Sequence, residues 1–182
     1  YAVTADLADT SRLGAKVEAA VAGGAAIVQY RNQTATPGLR MEQARALARM
    51  CRGRALFIVN DDVRIATAVG ADGVHVGEFD GTLAAVRRDL GASGLIGVSC
   101  YNDLARAQHV ATQGADYLAF GSFHPSSVKP DARRAEPALL RRAHLEPVLR
   151  PLIPAGRDDN AIRDLEGRAE RPAGGVEADC EA

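Results

Sequence analysis

Three junctions, Gly23-Gly24-Ala25, Gly70-Ala71-Asp72 and Gly114-Ala115-Asp116, each stand between a stretch of helical period and a short apolar run. Glycine closes a helix in the left-handed conformation at low cost, so each triplet reads as a helix end followed by a strand start. Gly24, Gly70 and Gly114 lie 46 and 44 residues apart, which is twice a strand–helix unit of about 22 residues. A chain with that period is committed to a layered α/β architecture.

The apolar runs Tyr1–Thr4, Ala26–Tyr30, Leu56–Val59, Gly73–Val76, Leu95–Ser99 and Tyr117–Phe120 contain no Asp, Glu, Lys or Arg. Strands covered on both faces read this way, so the sheet is expected to be parallel. Between them Leu13–Ala22, Met41–Met50, Val63–Val69, Leu83–Asp89 and Asp103–Gln113 space apolar residues three and four apart, as amphipathic helices do. The unit recurs without a break in composition to about residue 145. This predicts an α/β (β/α)8 TIM barrel in which six units are clear and a seventh follows, with strand eight and the closing helix left open. Residues 1–182 are expected to form one such domain, atypical from about residue 154. A flavodoxin-like or Rossmann sheet is the other candidate, but Thr4-Ala5-Asp6-Leu7 offers no G-x-G-x-x-G after the first strand.

Composition narrows the function. With 22 Lys+Arg against 23 Asp+Glu, the formal charge of −1 gives no general attraction for nucleic acid or an anionic membrane. Neither a basic leader nor an apolar run of roughly 20 residues is present, so a cytoplasmic chain is expected. Cys51, Cys100 and Cys180 are far apart, with no C-x-x-C, and read as small packed side chains.

In a barrel, ligands meet the C-terminal ends of the strands. Strand two ends Gln29-Tyr30-Arg31-Asn32-Gln33, and alternation sends Gln29 and Arg31 to one face, where they could clamp a phosphate. Strand three ends Asn60-Asp61-Asp62, and strand four leads through Gly77 to Asp80. Asp61 and Asp80, on neighbouring strands, suit a hard cation such as Mg²⁺ that keeps several waters. Helix capping competes with this reading: strongly at Asp62, moderately at Asp61, and about equally at Asp80. Ser99 ends strand five and offers a hydroxyl, although such a serine is more often a turn or cap residue. After strand six comes a long loop, His124-Pro125-Ser126-Ser127-Val128-Lys129, of ligand-binding composition. His75, inside an apolar strand, reads as a satisfied structural histidine, while His124 fits either role.

These motifs, in this order, resemble the thiamine-phosphate synthase family. Gln29 and Arg31 match its Gln-x-Arg-x-Lys, Asn60 and Asp61 its Asn-Asp, Gly73, His75, Gly77 and Asp80 its Gly-x-His-x-Gly-x-x-Asp, and Gly97-Val98-Ser99 its Gly-Val-Ser. Pro125–Lys129 resembles its loop after strand six. The resemblance implies a transferase that joins an aminopyrimidine diphosphate to a thiazole phosphate with release of diphosphate. It implies Mg²⁺ at Asp61 and Asp80. It also implies catalytic roles for Arg31, Lys129 and Ser99, with substrate contacts at Gln29, Gln33, Asn60, Ser126, Ser127, Val128 and Gly156. Its partners are these small molecules; a homo-oligomer is left open. Electrostatic help to a leaving diphosphate explains why no Ser-His-Asp or Cys-His set is apparent.

Three departures from the family pattern bear on activity. Gln33 stands where the family has lysine, and Val128 where it has a hydroxyl residue. Ile153-Pro154-Ala155-Gly156 replaces an Ile-Gly-Gly-Ile phosphate turn, and Glu177 and Asp179 lie where an apolar strand is expected. A thiazole tautomerase-like isomerase, or a non-catalytic phosphate-binding relative with an impaired thiazole-phosphate site, are the alternatives.

Overall fold

The structure is a computed structural model that describes residues 1–78, 80–121, 123, 134–145 and 152–154. Strands and helices alternate: β1 Ala2–Val3, α1 Thr10–Ala22, β2 Ile27–Tyr30, α2 Pro37–Cys51, β3 Leu56–Asn60, α3 Val63–Val69, β4 Gly73–Val76, α4 Leu83–Leu90, β5 Leu95–Tyr101, α5 Leu104–Thr112, β6 Tyr117–Phe120, α6 Pro137–His144 and β7 Leu152–Pro154. The strands pair in chain order, β1 to β7, and every pair is parallel. This is the sheet of a curled (β/α) barrel relative, as the 22-residue period predicts. The expected eighth strand and closing helix fall outside the described residues.

Alternation along the strands separates two cores. Val28, Tyr30, Phe57, Val59, Val74, Val76, Ile96, Val98, Leu118 and Phe120 turn outward and pack with Leu13, Val17, Leu47, Ile65, Val86 and Leu139 of the helices. Ile27, Ile58 and Tyr117 turn inward and form a smaller cluster with Tyr1, Leu56 and Leu95. Full burial of each such aliphatic side chain contributes about 1.5–3 kcal/mol, so the sheet–helix layer dominates stability. Gly97 of β5 belongs to the inner face, where an added Cβ would run into the Tyr117 ring. A small residue there lets the tyrosine lie across the barrel.

Helix starts are set by side-chain caps that follow directly from the strand ends. Asp9, Thr36, Asp62, Thr82 and Asp103 accept backbone N–H bonds from Arg12, Leu39, Ile65, Ala85 and Arg106. α1 and α2 therefore begin three and four residues earlier than their apolar periodicity indicates, Pro37 occupying the first turn of α2. Gly70 closes α3 at φ 64°, as its triplet predicts. The capping alternative is settled for two acids: Asp62 caps α3, whereas α4 is capped by Thr82 and not by Asp80.

Candidate functional site

Arg31 follows directly on the end of β2. Its backbone is held by Thr4, whose hydroxyl donates to the Arg31 carbonyl at 2.8 Å and accepts from the Arg31 N–H at 2.9 Å. The guanidinium lies 3.7 Å from Asp6 and donates to the Gln33 side-chain oxygen. The Gln33 N–H in turn donates to Asp6 at 3.0 Å. Gln33 is thus a neighbour and acceptor for Arg31, in the place of a family cation.

Behind this segment, Gln43 of α2 is fully buried and joins three elements. Its oxygen accepts from Tyr30 at 2.9 Å and from Asn32 at 3.0 Å, and its nitrogen donates to the Leu7 carbonyl at 2.9 Å. Asn32 also donates to Leu7, at 2.8 Å. The clamp fixes the loop after β1 against the end of β2.

At the end of β3, Asp61 adopts φ 62°, a left-handed conformation that costs a non-glycine residue energy and is tolerated best by Asn and Asp. Its N–H donates to the His75 carbonyl at 2.8 Å, extending the β3–β4 ladder by one residue. Asp80 folds back on its own loop and accepts from the Gly77 N–H at 2.5 Å. Asp61 and Asp80 line one cavity of about 230 Å³, together with Asp62 and Arg64. A second cavity of about 270 Å³ is lined by Arg31, Asn32, Gln33, Arg40, Asn60 and Asp61. Asp61 therefore walls both the acidic cavity and the one that holds Arg31. A larger cavity of about 760 Å³ opens among Gly24, Arg52, Gly70 and Leu95, at the N-terminal ends of the strands. None of the motif residues reaches it, and ligands of this fold bind at the other end.

Inside the barrel, six polar side chains join in a line that sequence reasoning did not find. Gln29 donates to Asn60 at 2.6 Å and accepts from the Tyr1 hydroxyl at 2.8 Å. Tyr1 meets the Tyr117 hydroxyl at 2.9 Å, and Tyr117 meets His75 Nδ1 at 3.1 Å. His75 Nε2 meets Ser99 Oγ at 2.9 Å. Burial lowers the His75 pKa to about 4, against an upward pull from Asp80, so the ring is neutral near pH 7. Burial likewise raises Tyr1 and Tyr117 well above the usual phenol value. His75 is thus the satisfied interior histidine its strand predicts.

Arg106 of α5 is a second residue missed from sequence. It donates to the Ser99 carbonyl at 2.9 Å and to the Gly77 carbonyl at 3.1 Å, with its guanidinium 6.0 Å from the Tyr101 ring centre. It ties the end of β5 to the loop that carries Asp80. Cys51 and Cys100 are buried and unpaired, their thiols pushed up by burial to about 11 and about 12, which leaves them inert. His124, Ser126, Ser127, Val128, Lys129, Gly156, Glu177, Asp179 and Cys180 lie outside the described residues.

A model of the family described as thiamine monophosphate synthase matches residues 1–155. The chain belongs to that family. It is 47% identical over 176 residues to the thiamine-phosphate synthase of Thiobacillus denitrificans, covering 89% of this chain and 83% of the relative. It is 51% identical over 144 residues to that of Methylobacillus flagellatus, covering 79% and 69%. Among solved structures, thiamine phosphate pyrophosphorylase from Pyrococcus furiosus superposes with a TM-score of 0.70 at 32% identity, over 81% of this chain and 70% of that one. The family match includes every motif residue from Gln29 to Lys129.

Proposed function

We propose that the two cavities sharing Asp61 are the halves of a diphosphate-transfer site, Arg31 and its neighbours holding the anion and Asp61 with Asp80 holding a cation. The activity of the chain is thiamine-phosphate synthesis, a transferase step of thiamine biosynthesis. Its substrates are an aminopyrimidine diphosphate and a thiazole phosphate. A cytoplasmic location and a single domain over residues 1–182 accompany this reading.

Among the described residues there is no cluster of three or more His, Cys, Asp or Glu placed to hold a metal. Two carboxylates on one cavity nevertheless fit Mg²⁺, which is usually held by one or two carboxylates while water and substrate phosphates fill its remaining positions. Asp61 and Asp80 are the residues that would hold it, and it would supply neutralisation of charge on the departing diphosphate.

The protein's own groups do the rest. Arg31, Gln33, Ser99 and Lys129 bind the diphosphate, and Arg31 and Lys129 stabilise the charge that develops on it as its bond to the pyrimidinylmethyl carbon breaks. Gln29 and Asn60 orient the pyrimidine. Ser126, Ser127, Val128 and Gly156 place the thiazole phosphate so that its ring nitrogen attacks the carbon left by diphosphate. The reaction proceeds without a covalent enzyme nucleophile, in keeping with a neutral His75 and inert buried thiols.

The adjoining cavities joined at Asp61 carry this assignment. Calorimetry with each substrate in Mg²⁺, followed by a turnover assay with both, tests it. Pyrimidine diphosphate is expected to bind only with Mg²⁺ present. Thiazole phosphate is expected to bind more weakly, because Pro154 lacks an N–H and Ala155 disfavours positive φ where the family has glycines. Diphosphate binding indifferent to Mg²⁺ would overturn the metal assignment.

A further inference from the structure

The line of side chains from Asn60 to Ser99 can be polarised in two ways, and the orientation of the Gln29 amide selects between them. Gln29 gives its N–H to Asn60 and turns its oxygen, which can only accept, toward Tyr1. Tyr1 must therefore spend its one hydrogen on Gln29, so its oxygen accepts from Tyr117 across 2.9 Å. The Tyr117 hydrogen is then committed, and at 3.1 Å its oxygen accepts from His75 Nδ1–H. A neutral imidazole carries one N–H, which leaves Nε2 bare, and at 2.9 Å Nε2 takes the Ser99 hydrogen. In this setting Ser99 offers lone pairs to a ligand and no hydrogen.

An opposite setting satisfies the same five contacts. With both amides turned over, Asn60 donates to Gln29, Gln29 to Tyr1, Tyr1 to Tyr117, Tyr117 to His75 Nδ1, and His75 Nε2–H to Ser99. Water takes the imidazole proton from Nδ1 and supplies one at Nε2, each hydroxyl keeps its hydrogen and rotates, and no proton is gained or lost overall. Ser99 is then free to donate, and the Asn60 oxygen is free to accept. An anion at Ser99 demands the first of these, and an amino group on a heterocycle at Asn60 demands the second.

We propose that this buried chain is a two-position coupler that makes the anion end at Ser99 and the amide end at Asn60 change hydrogen-bonding character together. His75 acts through Ser99 and is a positioning residue. The ligand-free protein rests with Ser99 as acceptor, and diphosphate binding reverses the whole line. The diphosphate part of this inference rests on the function proposed above; the resting polarity does not.

The test is the tautomer of His75, read by long-range ¹H–¹⁵N correlation on histidine-labelled protein, in which protonated and bare ring nitrogens resonate far apart. Without ligand, Nδ1 is expected to be protonated and Nε2 bare. With inorganic diphosphate and Mg²⁺ at saturation, shown by calorimetry on the same sample, the two signals are expected to exchange character. A ligand-free protein with protonated Nε2 overturns the proposal, as does bound diphosphate with an unchanged ring. Absence of any binding heat overturns the diphosphate reading instead. In that case Tyr117→Phe decides the coupler, since it keeps the ring against Gly97 and removes only the hydroxyl, which is the acceptor for Nδ1 and the donor to Tyr1. The ring proton should then move to Nε2 without any ligand, and a proton that stays on Nδ1 overturns the resting polarity.

Discussion

Aspartates stand at both ends of these strands and do opposite work. At the N-terminal ends, Asp72 accepts from the Phe57 N–H at 2.7 Å and Asp116 from the Ile96 N–H at 2.8 Å, each reaching from the start of its own strand to the strand before it. Asp116 also takes Arg87 at 2.6 Å, while Arg87 donates to the carbonyls of Gly94 and Gly114. These acids lock the register of β3 with β4 and of β5 with β6. At the C-terminal ends, Asp61 and Asp80 are both exposed and line a cavity, Asp61 with its backbone in the left-handed region. The same side chain is a backbone staple where it meets an N–H of the neighbouring strand and a candidate ligand where the strands open to solvent. Position along the barrel axis, which residue type alone does not reveal, separates stability from function.

The sharpest way to break this comparison is to neutralise the mouth. Asp61→Asn, Asp80→Asn and Arg31→Ala are each expected to reduce kcat/KM on the order of 10²–10³-fold, the effect of removing one preorganised charge-stabilising group. Midpoints of thermal unfolding should stay near the parent value for Asp61→Asn and Asp80→Asn, since both acids are exposed. A large loss of stability with activity per folded molecule unchanged would move these residues into the structural class.

Gln43 tests whether the mouth also contains pure structure. Gln43→Leu leaves Tyr30 without its acceptor, Asn32 without one of its two acceptors and the Leu7 carbonyl without one of its donors. Unpaired buried polar groups cost about 1–3 kcal/mol each, so a loss of roughly 2–4 kcal/mol is expected in urea unfolding. KM for the diphosphate should rise as well, because the Arg31–Asn32 segment loses its anchor. A neutral outcome would mean that water or neighbouring groups take over the clamp.

The opposite end should respond in stability alone. Asp116→Ala is expected to cost about 2 kcal/mol, since it removes a charge-assisted bond to the sheet and an arginine partner. Asp72→Ala, at a more exposed side chain, should cost about 1 kcal/mol. Denaturant midpoints check both, and kcat/KM per folded molecule is expected to match the parent.

The two ends also differ in how far they could be read from sequence. The strands were legible because burial on both faces leaves an uninterrupted apolar run, and the glycine triplets mark the bottom of the barrel. The starts of α1 and α2 were not, because Thr10 to Arg12 and Pro37 to Arg40 carry few core contacts and only the cap side chains announce them. At the mouth, alternation proposes Gln29 and Arg31 as a pair, and the Asn-Asp and Gly-x-His-x-Gly-x-x-Asp spacings single out Asp61 and Asp80, which line one cavity. The interior line was beyond that reading. Tyr1 and Tyr117 are 116 residues apart and meet only because the sheet curls, so each looks like an ordinary strand residue on its own. The one local trace is Gly97, which pairs in register with Tyr117 and leaves space for its ring. Arg106 gave no signal either, since an arginine in the first turn of an amphipathic helix looks like a solvated face.

The smallest effect expected concerns Gln33, where the sequence and the structure pull in different directions. Its motif position asks for a lysine that would meet the diphosphate, and its geometry makes it an acceptor for Arg31 beside Asp6. If charge at the site dominates, Gln33→Lys exchanges a neutral hydrogen bond for a charge-assisted one, a gain of about 1 kcal/mol, or roughly fivefold in diphosphate affinity. Repulsion between the new ammonium and Arg31 opposes this, but Asp6 lies 3.7 Å from the guanidinium and compensates part of it. Tighter binding is therefore expected for Gln33→Lys, with a steeper dependence on ionic strength. Gln33→Ala is the control: it removes the acceptor without adding charge, and should loosen Arg31 and weaken binding severalfold. Titrations of both variants with diphosphate and Mg²⁺ at two salt concentrations separate the effects. If lysine weakens binding as much as alanine does, holding Arg31 matters more than the missing charge, and Gln33 is a fitted residue of this chain's mouth.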